Sequence, residues 1–167
     1  MLDFRLKNTE AIAEVIQLVL VEIGKTTLAV RASNVKRLQQ INLNELELPN
    51  RGIHPALSAY VYSNDLPIFD LGQLLGLGST NYQAESQLLI IEQANRRAGF
   101  LVDQAQEVVQ VELDELDLLP ELVERSRLRP AAWALWRKST KDIIILIEPT
   151  ECFTIEEWQI VINKGSR

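Results

Sequence analysis

The stretch from Gln87 to Glu112 limits what this chain can fold into more than any other. Leu88-Leu89-Ile90-Ile91 is an apolar run too short for an ordinary helix, and its branched residues suit a buried strand. Polar residues from Gln93 to Arg97 interrupt the run as a hairpin loop would. Gly99-Phe100-Leu101-Val102 restarts it and Asp103 ends it. From Gln104 the pattern becomes alternation. Ala105, Glu107, Val109 and Val111 share one face of an extended chain, and Gln104, Gln106, Val108, Gln110 and Glu112 share the other. The first face suits a core and the second suits water. Val108 is the misfit on the wet face. Folded surfaces carry many apolar atoms, so a lone valine there marks nothing by itself.

The same grammar runs through the rest of the chain. Val15 to Val21 is β-branched and apolar, a buried strand, and Gly24-Lys25 turns it into a second strand over Thr26 to Val30. Val35 and Leu38 are three apart, the spacing of one short helical turn with both side chains on one side. A helical turn at Thr9 to Ala13 and a strand from Ile41 to Leu48, stopped at Pro49, are also expected. Ser58 to Tyr62 and Leu66 to Asp70 read as a hairpin in which Pro67, lacking a donor, belongs at an edge or a bulge. Leu71 to Leu75 reads as a helical turn ending at Gly76, and Gly78 to Gln83 as the boundary between two halves. Asp114 to Leu119 reads as a short helix, Glu121 to Arg129 as an exposed charged segment, and Ala131 to Trp136 and Ile143 to Ile147 as strands. Thr154 with Glu157 forms a capping box opening a helix over 154–162, whose apolar face is Ile155, Trp158, Val161 and Ile162. Nine or ten short strands joined by tight turns favour small β-barrels over a parallel sheet with long crossover helices.

At 167 residues the chain forms one domain, or two small lobes sharing a core. A net charge of −6 disfavours a nucleic-acid partner, because phosphate binding needs a positive field. It equally disfavours an anionic membrane surface. A single cysteine, Cys152, excludes an internal disulfide framework. No basic-then-apolar signal opens the chain, and no apolar run reaches the ~20 residues that a membrane helix needs. The expected location is the cytoplasm.

Catalysis finds no constellation. His54, beside Pro55 in a loop, lacks positioned partners, and Cys152 has no histidine near it in sequence. No nucleophile elbow, zinc motif or phosphate-binding glycine loop is present, and no cofactor or metal is expected. The acidic cluster Asp114, Glu115 and Asp117 reads as a solvated face. Trp133, Trp136 and Trp158 suit packing, though they also allow a small-ligand-sensing barrel. Small barrels also serve as oligosaccharide or nucleic-acid binders. A protein that works through surfaces is the reading the residue types favour.

Three blocks resemble the CheW-like adaptor family of bacterial chemosensory arrays. Leu66-Pro67-Ile68-Phe69-Asp70-Leu71 with Leu75-Gly76-Leu77 resembles the family's proline-containing strand and the Leu-Gly after it. Leu89-Ile90-Ile91-Glu92, then Gly99 to Asp103 and Glu107-Val108, resembles its paired strands. Ile143 to Glu148 resembles its last strand. The similarity spans roughly Val15 to Glu148. The family's Gly-Val-x-Asn-Leu-Arg-Gly is here Leu57 to Ser63, without its glycines, and with Tyr62 at the arginine position. Another glycine is missing near Ala131 and Ala132, so the resemblance is to a divergent member.

The resemblance implies a mainly β fold with a few short helices, in which two five-stranded SH3-like β-barrel subdomains form a pseudo-twofold arrangement. One CheW-like domain would occupy 1–167, with strands from roughly 15–76 and 86–148 contributing to the two lobes. It implies a non-enzymatic adaptor between a CheA-type histidine kinase regulatory domain and the cytoplasmic tip of a chemoreceptor or related sensor, serving chemotaxis, phototaxis or type IV pilus motility. It places Val35, Leu38, Tyr62, Val102 and Val108 on the groove or receptor side.

Overall fold

The computed structural model describes residues 14–40, 59–63, 66–78, 86–119 and 131–159. The expected elements at Thr9 to Ala13, Ile41 to Leu48 and Glu121 to Arg129, with His54, Val161 and Ile162, lie outside the described residues. Within them, eleven strands form two sheets.

One sheet is built on the hairpin β1 (Val15–Ile23) and β2 (Thr26–Arg31). Next to β1 lies β8 (Gln104–Glu112). Next to β2 lie, in order, β11 (Ile143–Ile147), β10 (Ala132–Arg137) and the three-residue β9 (Leu116–Leu118). The other sheet is built on the hairpin β6 (Gln87–Gln93) and β7 (Arg96–Val102). It is flanked by β3 (Val35–Gln40) on one side, and by β5 (Leu66–Asp70) and β4 (Ala59–Ser63) on the other. Both sheets repeat one pattern. An antiparallel strand flanks the hairpin on one side, and a parallel strand flanks it on the other. The structure is mainly β with short helices. The sheets hold six and five strands where five and five are implied, and β9 is the extra strand.

Each sheet completes its own hairpin with strands from the other half of the chain. β3, β5 and β4 leave the first half to flank β6–β7. β8, β11 and β10 leave the second half to flank β1–β2. The connector beginning at Gly78 therefore divides two equivalent runs of strands but does not divide the two sheets.

This interleaving explains the apolar runs. Val19, Val21 and Ile23 of β1 meet Leu89, Ile91, Phe100 and Val102 in a core shared by both sheets. Leu18 and Leu20, the alternate residues, pack with Val111, Ala134, Ile144 and Leu146 on the opposite face of the first sheet. Leu88, Ile90 and Leu101 pack with Leu66 and Ile68 on the opposite face of the second. Strands buried on both faces have no wet side to encode, so alternation vanishes. Phe69 contacts Phe153 at 4.7 Å and Phe153 contacts Trp158 at 4.9 Å, closing the shared core beneath the C-terminal segment.

Local expectations fare unevenly. The capping box is present: the Thr154 amide donates to Glu157 Oε1 and the Glu157 amide donates to Thr154 Oγ1, both at 3.1 Å. Residues 155–159 are helical and Trp158 is buried, but Ile155 is 69% exposed, so it does not belong to the inward face. Pro67 falls where the β4–β5 register slips between Tyr60 and Ser63, the bulge that a missing donor requires. The helical turn α1 spans Leu71–Leu74, capped by the Asp70 carboxylate, which accepts the Gln73 amide at 3.2 Å. Three expectations are corrected. The loop Gln93 to Arg97 is a two-residue turn, Ala94-Asn95, with the strands running through either side. Asp114 to Leu119 is not a helix: a 3-10 turn over Leu113–Glu115 leads into β9, which pairs with β10. Val35 to Leu38 is not a helical turn either, because a 3-10 turn ends at Asn34 and β3 begins at Val35.

Candidate docking edges

In β3, Val35 lies opposite Ile91 and Leu38 opposite Leu89, with a register shift between Val35 and Arg37. Three residues of β3 thus advance against two of β6, so Lys36 is the extra residue of a β-bulge. The bulge puts Val35 and Leu38 on one face of a strand, where i and i+3 would otherwise oppose each other. The spacing that resembles a helical turn is a bulge signature here.

β8 contains the same device. Val108 lies opposite Val19 and Ala105 opposite Val21, again with one extra residue on the outer strand. Ala105 and Val108 therefore share the face that looks toward the shared core, and Ala105 packs against that core. Val109 and Val111 turn to the opposite face with Leu18 and Leu20. The simple alternation expected for Gln104 to Glu112 fails at this bulge, which moves Ala105 to Val108's side.

The two edges are counterparts. A single constant offset in sequence number carries Ile23 to Gln93, Val21 to Ile91, Val19 to Leu89, Val35 to Ala105 and Leu38 to Val108. Val35 is half-buried against the shared core, as Ala105 is. Leu38 is 41% exposed and Val108 is 62% exposed. Each stands at the outer strand of its sheet among the described residues, opposite a buried core residue. Val15, also exposed, lies on the same face of β1 as Val19 but is separated from Val108 by the exposed pair Gln17 and Gln110.

The remaining candidates behave differently. Val102 has no exposed surface and belongs to the shared core, which removes it from any docking surface. Its partner Gln87 sends a side-chain oxygen to accept the Ala105 amide at 2.7 Å, so Val102 supports the β8 edge from beneath. Tyr62 lies in the slipped part of β4, and its side chain falls outside what the structure describes.

Val35 enters β3 directly from Asn34, whose side-chain amide donates to Glu148 Oε2 at 2.8 Å. Glu148 is nearly buried at the end of β11. Burial raises its pKa above the ordinary glutamate value. Hydrogen bonds from Asn34 and Thr150 and the charge of Arg31 oppose that rise, while Glu151 adds to it. Nothing in the sequence singled out Asn34, Thr150 or Gln93. The equivalence of the two hairpins had a signal: Leu18 to Glu22 and Leu88 to Glu92 are both four apolar residues closed by glutamate, an internal repeat.

Trp158 is buried with its Nε1 donating to the Thr150 carbonyl at 2.7 Å, and Trp133 lies under the Arg31 guanidinium at 4.2 Å. Trp136 packs on the first sheet's own core. Cys152 is buried. Among the described residues no group of acidic, histidine or cysteine side chains could hold a metal ion, and no helix is long and apolar enough to cross a membrane. A cleft of about 450 Å³ opens at the β1–β2 hairpin end, lined by Lys25, Gln106, Lys138 and Ile143 among others. Val35, Leu38, Val102 and Val108 do not line it.

A family model described as a CheW-like domain matches residues 63–157, more than half of the chain. Among solved structures, the fold is similar to the crystal structure of the scaffolding protein TtCheW from Thermoanaerobacter tengcongensis. The TM-score is 0.64 at 15% identity, over 81% of this chain and 90% of that one. The comparison with curated proteins found no match.

Proposed function

The chain belongs to the CheW-like domain family, and on that premise we propose that it is an adaptor coupling a receptor or related sensor to a CheA-type histidine kinase. CheW-like scaffold proteins are non-enzymatic, so the work is done by surfaces. The pathway served is chemotaxis, phototaxis or type IV pilus motility, with the protein in the cytoplasm beneath a receptor array.

One observation carries the reading: the two sheets expose equivalent apolar edges, Leu38 on β3 and Val108 on β8. An adaptor needs two contacts on one stiff body. If each contact favours one state of its partner, the two partners' equilibria are linked by a coupling free energy. Single contacts of this size are modest, and repetition in an array supplies strength by avidity. Val35, half-buried beside Leu38, forms the base of the first edge. Tyr62, at the position where the family carries arginine, belongs to the receptor side in this reading.

The test is binding to a CheA-type kinase regulatory domain and to a receptor-tip peptide, measured by calorimetry with the full chain. Val108→Glu should weaken one partner by roughly tenfold or more, the loss expected when a buried contact residue is removed. Val108→Glu and Leu38→Glu variants that both keep every partner at full strength would remove the docking role. The alternative, a small-ligand-sensing barrel, draws on the tryptophans. All three are engaged in packing, stacking or hydrogen bonding.

A further inference from the structure

The cleft at the β1–β2 hairpin end is a concave site that the docking edges do not use. Its volume, about 450 Å³, lies in the range of small-ligand sites. Leu20 and Ile144, both buried in the first sheet's own core, line it, so it reaches core side chains rather than skimming a flat surface. Ile143, 56% exposed at the start of β11, adds an apolar side chain nearer the mouth.

Three ammonium groups line the same cleft: Lys25 from the β1–β2 turn, and Lys138 and Lys141 from the β10–β11 turn. Asp142 works against them, and the lysines outnumber it three to one. The chain as a whole carries a net charge of −6, so the local sign runs against that of the molecule. Nearby carboxylates are engaged elsewhere. Glu22 Oε2 accepts Gln106 Nε2 at 2.9 Å, and Glu107 Oε1 accepts Lys138 Nζ at 3.3 Å. Among the described residues no carboxylate lies within ion-pair distance of Lys25 or Lys141. Both turns are tied. The Asp103 carboxylate accepts the Gly24 amide beside Lys25. Ser139 Oγ accepts the Asp142 amide at 3.1 Å, and the Ser139 amide donates to the Asp142 carbonyl at 3.3 Å. The positive groups are thus gathered on ordered turns before a ligand arrives, which lowers the ordering cost of binding. A concave wall focuses their field.

We propose that this cleft binds a small molecule carrying two or more negative charges on a partly apolar body, a phosphate ester or a polycarboxylate. Lys25 and Lys141 supply two charges that the described carboxylates leave unpaired. The half-buried Thr26 and Thr27 line the cleft and supply hydroxyl donors, which phosphate and carboxylate oxygens both accept. Leu20 and Ile143 meet the carbon body. Lys138 is shared: the ligand competes with Glu107 for it.

The experiment is an amide NMR titration of the full chain with inorganic pyrophosphate and, separately, with citrate, at constant ionic strength. Saturable shifts are expected at Lys25, Thr26, Gln106, Lys138 and Ile143. A response to pyrophosphate alone assigns the ligand to phosphate esters, and a response to citrate alone assigns it to polycarboxylates. Lys141→Gln should weaken binding by up to roughly fivefold, the size of an exposed ion pair. Glu107→Gln should tighten it by roughly twofold, because it releases Lys138. Glu92→Gln removes the same charge beside Lys36 on the other sheet and should leave binding unchanged. No saturable shift with either anion overturns the site. So does a Glu92→Gln effect as large as that of Glu107→Gln, because bulk charge rather than the cleft then governs binding. No kinase or receptor enters these measurements, so their failure is separable from failure of the docking role.

Discussion

Leu38 and Val108 occupy the same place in two different sheets. Each follows a one-residue bulge on the strand outside a central hairpin, and each lies opposite a buried residue, Leu89 or Val19. The bulge is what makes the position useful. It turns an apolar side chain toward the shared-core face at a point where the other sheet does not cover it.

Replacing either residue by glutamate should cost little stability, because both side chains are largely exposed and surface changes usually stay within about 0.5 kcal/mol. Thermal melts should therefore nearly superimpose on wild type. Binding should separate the two: Leu38→Glu and Val108→Glu are expected to weaken different partners. Loss of the same partner by both variants would show a single continuous surface rather than two edges.

Ala94 supplies a stability prediction. It holds φ at +54°, and its counterpart in the β1–β2 turn is Gly24 at +59°. An L-residue in this region costs roughly 1–2 kcal/mol, while glycine loses only part of that gain to unfolded-state entropy. Ala94→Gly should stabilise the protein by about 0.5–1 kcal/mol in urea unfolding. A lower urea midpoint would show that the β6–β7 turn is not strained.

Gly72 predicts the opposite sign. It sits in α1 with the Gly78 carbonyl against the place a Cβ would take, and Ile23 Cγ2 at 3.0 Å. The Gly72 carbonyl accepts the Leu77 amide at 2.8 Å, which holds that loop close. Gly72→Ala must push backbone aside, a cost of roughly 1–3 kcal/mol. Thermal denaturation should show the loss, and an unchanged melting temperature would mean that the loop after α1 yields freely.

Glu148 makes stability depend on pH with a definite sign. Its pKa is raised in the folded state, so the folded protein holds the proton more tightly than the unfolded chain. Stability from this group is full below the ordinary glutamate pKa. It declines as pH climbs toward the raised folded value and is flat above it. Measured as a difference, Glu148→Gln should gain stability relative to wild type as pH rises from the ordinary glutamate pKa through the raised folded value. A difference that stays constant with pH would contradict the shift.

The C-terminal capping box is worth about 1 kcal/mol by the usual cost of removing a cap. Thr154→Ala should lose that amount in chemical denaturation. It should also loosen Trp158, whose fluorescence reports its burial against Phe153. Unchanged emission and unchanged stability together would mean that packing alone holds the segment.

Much of the fold was legible because burial writes itself into residue type. The runs Val15 to Val21, Leu88 to Ile91 and Ile143 to Ile147 read as strands, and they are strands. Thr154 and Glu157 announced a helix start because a capping box involves only four consecutive residues. Val108 was visible as a misfit, whereas the spacing of Val35 and Leu38 read as a helical turn and belongs to a bulged strand.

What the sequence determined alone was the placing of the long apolar strands and the capped start at Thr154; the short strands at Val35 and Leu116, which read locally as helical turns, were decided by pairing. The tertiary structure decided which face each side chain took. Val102 and Val108 are both valines at the end of one apolar-to-alternating stretch, yet one is sealed in the shared core and the other meets solvent. The difference comes from strands exchanged between halves and from two bulges, each set by pairing with a strand distant in sequence. A side chain's face depends on register, and register is fixed by the neighbouring strand, which no local pattern specifies.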